Sequence, residues 1–146
     1  MPTTRGSRKN KVSIQYAVPR RGVPGAAFLR RWARAPFPVT LRIVGEREAR
    51  KLNRTFRNED YATNVLTFRY DRTSGDIVLC HAVIRREARA QGKSLAAHYA
   101  HLVVHGCLHL RGYDHEKKRD AARMEAREIR LLRRLGIRNP YASNVE

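Results

Sequence analysis

Acidic residues are scarce in this chain: thirteen Asp and Glu stand against thirty-one Lys and Arg, a net charge of +18 over 146 residues. The shortage leaves a field that favours polyanions, and RNA is the leading candidate partner. Long apolar runs are also missing. None approaches the roughly 20 residues of a membrane span, so the positive charge does not flank an anchor and no membrane partner is expected. The opening MPTTRGSRKNK lacks the apolar region of a secretory signal, which implies a cytoplasmic protein. Cysteine is limited to Cys80 and Cys107, too isolated for a disulfide framework. Both are read as small buried apolar residues.

Residues 1–10 offer no periodicity and read as a basic flexible tail; 11–136 form one domain, and 137–146 read as a C-terminal tail. KVSIQYAV sets Val12, Ile14, Tyr16 and Val18 against Ser13, Gln15 and Ala17, the period of a half-buried strand. PGAAFLRRWAR allows a helix with Pro24 in its first turn and Phe28, Leu29 and Trp32 on one side. FPVTLRIV alternates again. EREARKLNRTF has Ala49, Leu52 and Phe56 at helical spacing, so all three are expected to face the core. NVLTFRY and DIVLC, separated by the polar DRTSG, read as a strand hairpin.

After residue 80 the pattern is helical throughout. A helix over 81–91 is stopped by Gly92; the next has Ser94 as N-cap and ends at Gly112. A last helix over about 116–135 opens with Glu116 and turns Met124, Ile129, Leu132 and Leu135 inward. The expected fold is α+β: a single small domain with a four-stranded mixed sheet, about five helices, and a central helix carrying the metal-binding histidines.

HGCLHLRGYDH, residues 105–115, holds three of the six histidines. On a helix His105 and His109 share one face, about 6 Å apart along the axis at 1.5 Å rise per residue. Gly112 lets the chain turn back, and His115 lies just beyond that turn. His105, His109 and His115 can therefore meet around one ion, leaving a fourth position for water, as in catalytic zinc sites. Zn2+ suits three imidazoles, although other divalent transition metals such as Ni, Co or Cu bind such nitrogens too. His101, His105 and His109 together would span about 12 Å of helix axis, too far for a single ion. His98 and His101 are read as helix residues that pack or bond nearby, with an assisting role left open for His101.

The motif resembles the metalloprotease signature of two histidines four apart, a glycine and a third histidine. That signature places its glutamate base where this chain has Gly106. A peptidase therefore lacks its base here. Glycine inside a helix costs about 1 kcal/mol against alanine. Close approach of a substrate or a neighbouring backbone accounts for such a residue.

VVHGCLHLRGYDH, together with RKLNRTFRNEDYATNVLTF (residues 50–68) and GDIVLC (75–80), resembles the YbeY family of bacterial metal-dependent endoribonucleases. The resemblance runs from about residue 40 to 135. It implies a zinc-dependent, single-strand-specific endoribonuclease of rRNA maturation and ribosome quality control, working with rRNA of the small ribosomal subunit and with ribosome assembly proteins. The family's metal ligands fall on His105, His109 and His115, and its key arginine on Arg57. Asp114 belongs to the signature and could orient a histidine or cap the last helix. The family usually has Asp where this chain has Asn64. The rival reading is an RNA-binding ribosome assembly factor whose metal is structural, with little catalysis.

Overall fold

β1 (Val12–Tyr16) alternates inward Val12, Ile14 and Tyr16 with exposed Ser13 and Gln15, because one face of the strand is covered and the other is wet. The computed structural model describes residues 11–35, 37–71, 73–112 and 118–134; the expected tails at 1–10 and 137–146 lie outside them. α1 (Ala26–Trp32) buries Leu29 and Trp32. Its N-cap is Gly25, so Pro24 precedes the helix instead of occupying its first turn. β2 (Val39–Val44) runs parallel to β1, with Ile14 opposite Leu41.

α2 (Glu46–Arg57) ends where Asn58 takes a left-handed conformation at φ 59°. Ala49 is buried and Leu52 partly so, but Phe56 is 63% exposed, against expectation. Its ring meets the edge of Phe68 at 5.3 Å. The buried position belongs to Asn53, whose Nδ2 donates to the Tyr61 carbonyl at 2.9 Å and ties the following loop to the helix. A satisfied amide can be buried where a large ring at the helix end is left outside.

β3 (Val65–Asp71) and β4 (Ser74–Cys80) form the expected antiparallel hairpin. The sheet order is β1-β2-β4-β3, with β4 parallel to β2 and β3 at an edge. β4 is covered on both faces: Ile77 and Leu79 enter one core, Val78 and Cys80 another. That double burial explains its run of apolar residues. α3 (His81–Gln91) follows directly and stops at Gly92, φ 67°. α4 (Leu95–Leu110) starts with the Ser94 hydroxyl accepting from the Ala97 amide at 3.0 Å. α5 (Lys118–Arg134) buries Met124 and Leu132, with Ile129 only partly covered; Glu116 and Leu135 lie outside the described residues.

α1, α4 and α5 share the larger core with one sheet face, and α2 covers the other. The result is the expected α+β domain, with a four-stranded mixed sheet and five helices among the described residues. α4 is its axis: ten of its residues are buried. Gly106 is the point of closest approach. A Cβ there would lie 3.1 Å from both Cδ1 and Cγ2 of Ile77 and 3.3 Å from Cγ2 of Thr67. Side chains of the sheet, rather than a substrate or a backbone, account for this glycine; it lets the histidine helix settle onto β3 and β4.

Candidate metal centre

Three anchors fix α4 before any ion is considered. Near its start the buried Tyr99 hydroxyl lies 2.7 Å from Nδ1 of His81. Burial pushes the Tyr99 hydroxyl up and the His81 imidazole down, so a neutral imidazole accepts from a neutral phenol. At its end the Arg69 guanidinium donates to the Leu110 carbonyl at 3.0 Å while stacked over Phe37. That bond satisfies an end carbonyl of α4 and links it to β3. Gly106 supplies the third anchor.

With the helix so held, His98, His101, His105 and His109 form a row along one side. Successive ring centroids are 5.9, 6.0 and 4.8 Å apart. The tightest pair is His105 with His109, the pair singled out by the spacing. His115 and Asp114 lie outside the described residues. Arg57 is exposed at the C-terminal end of α2, and no hydrogen bond or ion pair joins it to the row among the described residues.

The sequence reading missed Glu128. This carboxylate is wholly buried on α5, with Oε2 3.2 Å from Nε2 of His101 and 3.2 Å from Nδ1 of His105. Burial works to raise its pKa, but the hydrogen bonds from His101 and His105 outweigh it and hold the group at about 2. It stays ionised. The donor atoms of His101, His105 and Glu128 lie within 4.8 Å of one another, so these three residues form a candidate metal-binding group. A signal was present: Glu128 stands four residues from Met124 and four from Leu132, inside the apolar stripe, where an ionised group needs a buried partner.

The same contact sets the chemistry of His105. Nδ1 faces the carboxylate, which leaves Nε2 on the other side of the ring. Glu128 thus orients the His105 ring, and it faces Nε2 of His101 at the same distance. An ion held by Glu128 itself would be closed off, whereas His109 is only partly buried at the end of α4 beside the Gly112 turn. Catalysis requires an open position, and that condition favours the His105–His109 end.

Asn64 serves a neighbouring network. Its Nδ2 donates at 3.0 Å to Oε1 of Glu87, which also lies 2.8 Å from Nε2 of buried His98. The amide thus supports the first ring of the row through a carboxylate. In an Asn64→Asp variant two carboxylates would share that space, and like charges raise one pKa above its unfolded value of about 4. Its stability deficit should be small below about pH 4 and grow to about 1–3 kcal/mol at pH 7. Denaturant melts at the two pH values check this; an equal deficit at both would sink the explanation.

The model of the family described as Endoribonuclease YbeY matches residues 26–136. The chain belongs to the YbeY family. An Endoribonuclease YbeY from Aromatoleum aromaticum is 50% identical over 150 residues, covering 96% of this chain and 97% of the relative. One from Methylibium petroleiphilum is 51% identical over 141 residues, covering 90% and 94%. A solution structure of a Thermotoga maritima protein shares the fold at TM-score 0.53 and 23% identity, over 85% of this chain and 91% of that one. No helix among the described residues of this YbeY member is long and apolar enough to cross a membrane.

Proposed function

We propose that this chain is a zinc-dependent endoribonuclease that hydrolyses phosphodiester bonds in single-stranded RNA. Its substrate would be rRNA of the small ribosomal subunit, cut during maturation and quality control in the cytoplasm beside ribosome assembly proteins. What supports the reading is Glu128 at 3.2 Å from Nδ1 of His105, which leaves Nε2 of that ring on the side away from the carboxylate, with the His109 ring 4.8 Å away. This donor set fits a borderline ion such as Zn2+, with His105, His109 and His115 as its ligands.

A bound ion supplies Lewis acidity, polarising a phosphoryl oxygen and acidifying water. The chain's own groups do the rest. Arg57, exposed and without a carboxylate partner among the described residues, offers its guanidinium to a phosphate, where a bidentate grip also offsets charge building on phosphorus. The +18 surface holds the rest of the backbone in a salt-sensitive way. Gly106 removes the base a peptidase would need at that position, which favours the phosphodiester.

The test is cleavage of an end-labelled single-stranded RNA by zinc-loaded protein, beside His109→Ala prepared identically. Zinc-dependent cutting that disappears in the variant is the expected result; equal cutting in both would overturn it. The second reading, an assembly factor with a structural metal, draws on the wholly buried carboxylate between His101 and His105. It predicts that a chelator unfolds the protein, whereas the nuclease reading predicts a folded, inactive one.

A further inference from the structure

We propose that the open cavity between α1, α4 and α5 is a second RNA contact, seating one unpaired nucleotide by its phosphate, apart from the histidine row. The inference rests on the RNA reading above but not on catalysis. The cavity has a volume of about 260 Å³. Four guanidiniums line it, from Arg34, Arg111, Arg127 and Arg134. None pairs with a carboxylate among the described residues; Arg111 donates only to the Arg34 carbonyl, at 3.4 Å. On the α2 side of the molecule, by contrast, Arg42, Arg50 and Arg86 are each held 2.8 Å from a carboxylate. Glu46, Glu48 and Asp60 neutralise arginines there, whereas the four guanidiniums here keep their charge unpaired among the described residues.

The lining also carries two buried donors with no acceptor among the described residues, Nε1 of Trp32 and Nε of Arg127. Trp32 is 4% exposed, so water does little to satisfy it. Buried donors without partners are uncommon in folded proteins, and these two belong to residues that wall the cavity. Val104, Leu108 and Leu131 complete the walls with apolar surface.

Guanidiniums recognise phosphate by paired N–H donors, and an apolar wall beside an indole suits the face of a base. A free inorganic anion would leave that wall unused. At about 260 Å³ the cavity takes no more than one nucleotide-sized group and excludes a duplex. Position supports the same occupant. Val104 and Leu108 each precede a histidine of the row by one residue, so the cavity lies about 100° round α4 from it. One strand could engage both.

Trp32 is the sole tryptophan of the chain, so its fluorescence reports on this cavity alone. The protein, with and without Zn2+ and with its fold checked by circular dichroism, is titrated with a single-stranded pentaribonucleotide, with inorganic phosphate, and with a glutamate peptide of equal charge. The expected result is a saturable emission change with the RNA. Its Kd should be at least about tenfold tighter than for either other anion, a difference of about 1.4 kcal/mol. Arg127→Gln/Arg134→Gln should weaken RNA binding about tenfold while the circular dichroism stays unchanged; Arg111→Gln serves if that pair misfolds. An unchanged Kd in the folded variants, no emission change, or equal affinity for phosphate or peptide would overturn the proposal. His109→Ala should keep the Trp32 signal. A protein that never cuts RNA yet gives that signal refutes the nuclease reading and leaves this contact standing.

Discussion

Glu128→Ala is expected to cost about 2–6 kcal/mol of stability, because two buried imidazole nitrogens each lose the carboxylate they face at about 1–3 kcal/mol apiece. The variant loses a wholly buried carboxylate and strands Nε2 of His101 and Nδ1 of His105, each 3.2 Å from it, facing a void. At about 2–4 °C per kcal/mol for a chain of this size, the melting temperature should fall by roughly 5–20 °C. Glu128→Gln keeps the shape and one acceptor but loses the charge, so it should melt between the two. Its metal affinity should drop about 10–100-fold, because the neutral amide orients His105 less well. Calorimetric titration of the folded Gln variant with Zn2+ separates that effect from stability.

The pH dependence has a definite sign. Glu128 is held at about 2 in the folded protein against an ordinary 4.5, so its contribution is complete above about 4.5 and is lost as pH falls toward 2. The difference in melting temperature between the parent and Glu128→Gln should therefore shrink over that window. A Glu128→Ala protein that melts within about 2 °C of its parent would show that the carboxylate does not hold α5 to the histidine helix.

How much of this was legible follows from what local patterns encode. Ser94 and Gly92 were readable because a cap and a left-handed stop are local events, and both stand where the sequence places them. The histidine pair was readable for the same reason: four residues on a helix fix a face. Glu128 was not, because its partners are on another helix and a glutamate among arginines on α5 looks like surface charge. Phe56 failed in the opposite sense. Its spacing matches the buried face of α2, but that face runs out of sheet, leaving the ring to cover Phe68 from outside. Gly106 stands out in the sequence as a cost, yet only the packing of α4 on Ile77 and Thr67 identifies what the missing Cβ avoids. Arg57 has no local signal at all; one arginine among many was singled out only by resemblance.

That isolation makes Arg57 the sharpest functional test. Arg57→Ala should leave stability within about 0.5 kcal/mol of the parent, since an exposed side chain at a helix end with no carboxylate partner among the described residues supports nothing in the fold. Cleavage, by contrast, should fall about 10²–10³-fold, the usual cost of removing a group aimed at charge that builds in the transition state. The loss should appear mainly in kcat, because many other cations bind the ground-state backbone and KM depends on them all. Arg57→Lys separates charge from geometry. Lysine keeps the charge but cannot grip two phosphoryl oxygens in one plane, so it should recover only a small part of the rate. Full recovery by lysine would reduce the role to charge alone. Unchanged cutting by Arg57→Ala would remove Arg57 from the site, and the arginine-lined cavity across the sheet would then be the first place to look for the group that holds the phosphate.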